Sequence, residues 1–517
     1  VTYDLCGRVS TIYTETAEGE IIQTSYTYDC MGNVSTYTDE LGNVTSYQYD
    51  LNGNLVKVTD SEGNITAEYT YDSMGKILQE KQSDGILVTY SYNKSDLVEK
   101  MTLTVPSGGE KTYTYAYDDM GRVTTVTDPA GVTASQTYDD MGNITSLIYS
   151  SGGGISYTYD QYSRVTSESL SIGNASTYEY NADSLVSIYT NGRGEKTSYS
   201  YDALGRITSF TDELGTVGIT YDGNGNILVI TETDNKGNAS SITRTYDCMN
   251  RVTSYTDCNG NTVKYGYDEI GNLISLTYPG GEIVRYSYDK AGLLSEVTDE
   301  EGNITGYTYD SQGRLITTTK PDNSIETNSY DQLGRLVKKE VTVAGEDGNP
   351  VTINSYGYTY DEWGNIISIS YEGSCEADSS VTSFTTATMT YDECNRMLTY
   401  NGEEILYDEE GNMTYGPLNG EMTEFEYDCR NRLIGAGDVT YEYNAENVRT
   451  ATETPEYREE YVTDSVSELP RVLVIEREYK NVQESYDENE SNQNDISWND
   501  NQGLEDIVSL VATVPEY

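Results

Sequence analysis

A chain of 517 residues with 86 acidic against 31 basic side chains carries a formal charge of −55 and contains no histidine. Such an excess repels nucleic acid and anionic lipid, so neither is expected as a partner; the missing histidine removes mixed Cys/His zinc sites and the commonest acid–base catalyst. The 51 Tyr stand against 3 Phe and 2 Trp, with 47 Gly and 9 Pro, a composition unlike that of ordinary packed domains.

From its first residues the chain is repetitive. It opens VTYDLCGRV, already inside a repeat, which points to a piece of a longer polypeptide with any secretion signal upstream. No stretch approaches the ~20 apolar residues of a membrane-spanning helix, so no membrane insertion is expected. A Tyr-Asp or Tyr-Asn pair marks each of 21 units, and 10 of the 20 gaps between them are 21 residues long. Fourteen units have Gly four places after the Tyr; the rest have Asn, Ser or Asp. Asn and Asp are the non-Gly residues that best tolerate positive φ, so the position reads as left-handed backbone; Ser163 and Ser184 fit less well.

The motif residues carry this structural role as Tyr28, Asp29 and Gly32; Tyr49, Asp50 and Gly53; Tyr71, Asp72 and Gly75; Tyr117, Asp118 and Gly121; Tyr138, Asp139 and Gly142; Tyr201, Asp202 and Gly205; Tyr267, Asp268 and Gly271; Tyr309, Asp310 and Gly313; Tyr330, Asp331 and Gly334. Asp-x-x-Gly reads as a type I turn closed by a left-handed Gly, the Asp accepting a hydrogen bond from the backbone two residues on; such a turn suits a hairpin with a bulge. A second Asp-x-x-Gly follows half a period later, as at Asp39–Gly42, Asp128–Gly131 and Asp212–Gly215. Each unit is therefore strand, turn, strand, turn, in segments rich in Thr, Tyr, Val and Ile. No segment has a helical period, so the fold class is all-β: a ribbon of hairpins. Both rings of Tyr26/Tyr28, Tyr157/Tyr159 and Tyr286/Tyr288 point to one face, which predicts ladders of stacked tyrosines. Two strands per unit advance the ribbon by ~10 Å, so 21 units span on the order of 200 Å, long enough that the sheet must coil or split.

Later units depart from the period. Insertions EDGNP (346–350) and GSCEADSSVTSFTTAT (373–388) are candidate binding loops, and the short gaps around 391, 407, 427 and 443 suggest altered curvature that closes one end. The repeat ribbon is assigned to residues 1–449, followed by 450–479, an acidic polar segment at 480–506 with a disordered composition, and one further strand at 507–517. The seven cysteines (Cys6, Cys30, Cys248, Cys258, Cys375, Cys394, Cys429) contain no Cys-x-x-Cys pair, and five sit in turns. They read as tolerated small residues rather than a disulfide framework or metal site.

The phrase Tyr-x-Tyr-Asp-x-x-Gly-[Arg/Asn], as in YTYDCMGNV (26–34), YDDMGRV (117–123), YDALGRI (201–207) and YDQLGRL (330–336), resembles the YD or Rhs repeat. That family includes bacterial Rhs and wall-associated polymorphic toxins, toxin-complex shell subunits and animal teneurins. The resemblance implies a spiral β-shell, which in the toxins encloses a C-terminal toxic domain and in teneurins supports adhesion. Residues 450–479 resemble the lead-in to the family's core region. The expected Asp-Pro-x-Gly core motif is missing, so the family's self-cleavage and toxic activity do not transfer.

Carboxylates abound, but those of Asp-x-x-Gly have a turn role that explains them. No EF-hand spacing or calcium β-roll pattern is present. No catalytic or metal residue and no cofactor is assigned, and no enzyme is expected. The function read from the sequence is a structural shell of a secreted or cell-surface bacterial protein, containing or displaying a C-terminal effector cargo. The alternative is a carbohydrate-binding surface adhesin that contacts glycans through tyrosine faces and the 340–390 loops; an enzyme acting on wall polysaccharide ranks third. The residue after the Gly (Arg122, Arg206, Arg314, Asn33, Asn143) is placed to pair with neighbouring turn carboxylates.

Overall fold

A computed structural model describes residues 1–15, 21–345, 349–373, 387–392, 396–466 and 470–480. All regular elements among them are strands, 45 in number. The first 34, from Thr2–Tyr3 to Ile366–Gly373, form one antiparallel sheet in which each strand pairs with its neighbours in sequence. A three-stranded sheet (Met389–Tyr391 to Glu403–Glu404) and an eight-stranded one (Leu406–Tyr407 to Arg471–Tyr479) follow. The chain is the all-β hairpin ribbon its periodicity predicts. The segment 480–506, apart from Lys480, the strand expected at 507–517, most of both insertions, Cys375 and Cys394 lie outside the described residues.

Both Asp-x-x-Gly turns of a unit share one geometry. Gly32 N–H donates to Asp29 O at 3.2 Å and Asp29 N–H to Asn33 O at 2.9 Å; Gly42 and Asp39 repeat the pattern. The 14 motif glycines have φ between 78° and 108°, and Asp96, Ser163, Ser184, Asn250, Asn431 and Asn447 in the same place have φ of 61–66°. The poor fit expected of the two serines is thus absorbed as backbone strain. The two hairpins of a unit differ in register. Across the Tyr-Asp turn, Thr27 pairs with Thr36 but Tyr28 with Val34, a bulge beside the motif Tyr. Across the next turn, Thr36–Ser46, Tyr37–Thr45 and Thr38–Val44 pair without a shift. A bulge bends and twists its strand. Repeated at the same edge of successive units, it curls the ribbon in one sense.

The ribbon winds back on itself. The turn after the fourth strand meets the turn after the twenty-ninth, where Asn43 Nδ2 donates to Ser311 O at 2.9 Å. The turn after the tenth meets that after the thirty-third, through Ser107 and Glu362. Farther on, the turn after the twentieth meets that after the fortieth, through Asp212 and Arg430. One winding thus takes 25 strands at first and 20 later. At ~4.8 Å per strand the circumference falls from ~120 to ~95 Å.

Burial is shallow, as befits a single layer. One face carries Tyr, Val and Ile, mostly half-buried; the other shows Thr and Ser, with cross-strand hydroxyl bonds such as Thr137 to Ser146 at 2.6 Å. The main buried cluster joins Val217, Ile230, Ile242, Tyr255, Val263, Tyr265 and Leu276 to Val462, with Leu473 and Val474 packed against it. The hairpin of Tyr457–Asp464 and Arg471–Tyr479 therefore lies on the tyrosine face of an earlier winding. A smaller cluster, Ile86, Val88 and Val105, is capped by Trp363.

Candidate functional site: the turn clamps and the seam between windings

The unit around Asp160 shows how a repeat is tied to the next. Asp160 Oδ1 accepts the backbone N–H groups of Tyr162 (2.8 Å) and Arg164 (3.1 Å), and Oδ2 accepts Arg164 Nε at 2.7 Å and Nη2 at 2.6 Å. The Arg164 side chain and these N–H groups hold the Asp160 carboxyl below its ordinary range, against the opposing effect of burial. The same guanidinium lies 4.5 Å over the ring of Tyr180 in the following unit, and its Nη1 donates to Ser184 Oγ at 3.1 Å. Tyr180 completes the clamp by donating its hydroxyl to Val165 O at 2.6 Å.

This clamp recurs. Asp118 with Arg122 under Tyr138, Asp202 with Arg206 under Tyr221, and Asp310 with Arg314 under Tyr330 repeat it. Where Asn replaces Arg, Asn33 and Asn143 donate to Oδ2 of Asp29 and Asp139. The pairing is therefore with the carboxylate of the same turn. The phenol bond recurs too: Tyr28 to Val9 O, Tyr71 to Leu55 O, Tyr117 to Val98 O, Tyr138 to Val123 O, Tyr201 to Val186 O, Tyr309 to Leu294 O and Tyr330 to Leu315 O. Sequence reasoning missed it. The signal was the preference for Tyr over Phe, which packing alone does not explain. Asp50 and Asp72 make the same backbone bonds, to Asn52 and Asn54 and to Met74 and Lys76. Asp268 binds the N–H groups of Ile270 and Asn272, while Arg251 lies over Tyr267.

The expected continuous stack of tyrosines is not what forms. Ring pairs such as Tyr26–Tyr37 (5.1 Å, 40°) and Tyr178–Tyr189 (5.3 Å, 42°) are tilted, local and cross-strand. Arg guanidinium groups occupy the faces of many motif tyrosines. With its face covered and its hydroxyl bonded to backbone, a motif Tyr is poorly placed to meet a sugar.

The seam carries the strongest charges. Arg430, 9% exposed, donates through Nε to Asp212 Oδ2 at 2.6 Å and through Nη1 to Glu232 at 2.7 Å; the Asp212 side chain is 1% exposed. Arg193 pairs with Asp408 at 2.8 Å, and Arg244 with Glu446. Tyr265 donates to Asp464 Oδ1 at 2.8 Å inside the main cluster; burial, then the Asp464 carboxylate, push its phenol upward. Where the windings meet, a cavity of about 260 Å³ is lined by Tyr189, Tyr199, Phe210, Cys429 and Arg430 among others. Burial, then the nearby Asp212 carboxylate, raises the Cys429 thiol, which disfavours the reactive thiolate. Burial also pushes Cys258 up to about 11. Cys6, Cys30 and Cys248 are exposed and free. Among the described residues no group of three or more Cys, Asp or Glu is placed to hold a metal.

Comparison with known proteins matches this geometry. The Teneurin YD-shell family model matches residues 1–95 and 184–327, and the RHS Repeat model residues 106–133 and 117–155. No curated protein matches the sequence. The crystal structure of TcdB2-TccC3-TEV superposes with a TM-score of 0.61 at 13% identity, covering 89% of this chain and 30% of that one. The crystal structures of TcdB2-TccC3-Cdc42 (TM-score 0.58, 14% identity) and of TcdB2-TccC3 without hypervariable C-terminal region (0.55, 15%) each cover 87% of this chain and 30% of theirs. These likenesses show a shared fold, and the chain spans under a third of each of these three solved chains.

Proposed function

This chain is built of YD/RHS-type repeats, and from that premise we propose that it is a stretch of non-enzymatic β-shell wall in a secreted or surface toxin-type protein, built to contain or display a C-terminal effector. The observation that carries the reading is the seam. A ribbon that only displayed its faces would have no need to bury Arg430 against Asp212 of the previous winding; a wall that must keep its contents in does. The terminal hairpin covers part of the tyrosine face, and we assign that face to the lumen. The turn carboxylates are consumed by backbone and Arg or Asn donors, which leaves them structural rather than catalytic. The TcdB2-TccC3 structure solved without its hypervariable C-terminal region offers a parallel for a further C-terminal segment beyond the wall.

Electron microscopy of the purified chain tests this. A curved wall around a lumen supports containment; an open ribbon with both faces in solvent sinks it. Glycan binding that disappears on Tyr356→Ala or Tyr371→Ala, the exposed ring pair 5.0 Å apart beside the second insertion, would favour the adhesin reading instead.

A further inference from the structure

The main sheet stops partway along the ribbon. Its thirty-fourth strand, Ile366–Gly373, pairs with Pro350–Tyr360 on one side, and no strand among the described residues pairs with its other edge; Met389–Tyr391, next in sequence, belongs to a separate sheet. The equivalent strand of an earlier unit, Leu315–Thr319, is paired on both sides and mostly half-buried. Ile366–Gly373 is exposed along its whole length, with Ile366 at 53%, Ile367 at 64% and Ile369 at 61%. Sheet edges are ordinarily guarded by charge, by proline or by being short. The edge at Arg471–Tyr479 is guarded by Arg471, Glu476, Arg477 and Glu478, and the first strand, Thr2–Tyr3, has only two residues. Ile366–Gly373 has eight residues, and Glu372 is its one charge. Such an edge is a template on which an extended segment can pair.

We propose that residues 507–514, IVSLVATV, add to the main sheet as a further strand along the edge of Ile366–Gly373. The segment has the same length as that strand, carries no charge and contains no Gly or Pro. Its alternation also fits. Val508, Leu510, Ala512 and Val514 share one strand face, while Ser509 and Thr513 fall on the other. The edge strand divides in the same way: Ile369 stands opposite Tyr358 on the tyrosine face, and Ser368 opposite Thr359 on the hydroxyl face. In the added strand, Val508, Leu510 and Ala512 continue the row of Ile367 and Ile369, and Ser509 and Thr513 that of Ser368 and Ser370. Reach is sufficient. The 26 residues between Lys480 and Ile507 extend to ~90 Å and average ~30 Å as a flexible chain. A winding ~95–120 Å round is ~30–40 Å across, so the tether spans from the terminal hairpin to any point on the wall. It holds the segment at a roughly millimolar effective concentration, which favours it over the same segment of a second copy. The inference does not require that the shell holds cargo.

Hydrogen exchange followed by mass spectrometry tests this on the full 517-residue chain, comparing the parent with Leu510→Pro plus Ala512→Pro. Proline removes the ladder donors of a strand. The expected result is exchange over Ile366–Gly373 at least tenfold faster in the proline variant, with Leu315–Thr319 unchanged. Equal rates over Ile366–Gly373 would overturn the proposal, whatever else covers that edge. Faster exchange over Arg471–Tyr479 in its place would put the segment on the terminal hairpin and overturn it too. So would protection that grows with protein concentration, since the occupant would then come from a second copy. A second measurement does not depend on how the proline variant folds: p-benzoylphenylalanine in place of Leu510, irradiated in the full chain, should cross-link to residues 350–373. Cross-links confined to residues 457–479 would refute the pairing. An open ribbon in micrographs would end the containment reading and leave the cross-links and exchange rates to decide this one.

Discussion

Replacing Arg430 by Met tests whether the seam holds the windings together. Met keeps much of the length of the side chain and removes the charge. It leaves Asp212 desolvated, having lost bonds at 2.6 and 3.3 Å, and Glu232 without its 2.7 Å partner. Breaking a buried ion pair from one side costs ~3–5 kcal/mol. At 1.4 kcal/mol per tenfold, seam opening should become about a hundred to several thousand times more frequent. The assay is native-state hydrogen exchange followed by mass spectrometry over strands Ile207–Thr211, Gly215–Tyr221 and Glu421–Tyr427. Adding Asp212→Asn removes the stranded charge and should restore much of the protection. Arg122→Met, whose pair with Asp118 lies in a turn away from the assayed strands, is the control and should leave exchange at the seam unchanged. Seam amides that exchange within threefold of the parent rate in Arg430→Met would refute the reasoning, as would equal loosening by Arg122→Met.

Tyr180→Phe keeps the ring beneath Arg164 and removes only the bond to Val165 O, so local opening of strands Val165–Leu170 and Ser176–Tyr180 should become easier by ~0.5–1.5 kcal/mol, read by hydrogen exchange; no change would mean that Tyr is chosen for its ring alone. Gly142→Ala, at φ 91° with only an Arg122 nitrogen near the added Cβ, should cost ~1–2 kcal/mol from backbone strain, whereas Gly306→Ala, in a strand with open space around its Cβ, should be neutral or stabilising in the same exchange measurement. The Asp29, Asp160 and Asp222 carboxyls lie below their ordinary 3.8 because Asn33, Arg164 and Asn226 side chains bond the ionised form; a depressed folded value stabilises above the unfolded value and is lost as pH falls through the folded one. Far-UV circular dichroism should therefore hold from pH 8 to 5 and collapse below about 4, and a midpoint above pH 5 would contradict the clamp. The charge of −55 opposes winding, yet the seam pairs are buried and weakly screened, so the melting temperature should rise between 10 and 300 mM NaCl; a fall would show that exposed pairs dominate.

The hairpin ribbon was legible because the repeat writes each local choice into the chain. Asp supplies the acceptor, the fourth position after Tyr supplies left-handed backbone, and the alternation of Tyr with Thr assigns the faces. The partners of the clamp were only half legible. The residue after the Gly was placed near a carboxylate, but its second contact, with the ring of the next unit, depends on the stagger between hairpins, which no single repeat contains. The stack of tyrosines failed for the same reason: cross-strand tilt sets rings at about 40° to one another, and the Arg that fills the gap comes from a neighbouring turn. The seam was not legible at all. Arg193, Arg244 and Arg430 have nothing in their local sequence that points some 200 residues along the chain, because the partner is chosen by the circumference of the winding.

That circumference is itself set by departures from the repeat. Over most of the ribbon a motif hydroxyl reaches back about 15 residues, as from Tyr180 to Val165. In the last units it reaches back only 10, from Tyr407 to Met397 and from Tyr443 to Leu433, since the hairpins between them are shorter. Shorter hairpins give a narrower strip, and the winding, already 23 strands between the tenth and the thirty-third, falls to 20 there. The ribbon therefore tapers where its period breaks, and the taper brings the hairpin Tyr457–Asp464 and Arg471–Tyr479 against the tyrosine face. Lengthening the hairpin between Tyr427 and Tyr443 to the full period would widen the last winding, move Glu446 off Arg244, and uncover Val217, Val263 and Leu276, the residues that give this single-layered protein its largest buried cluster.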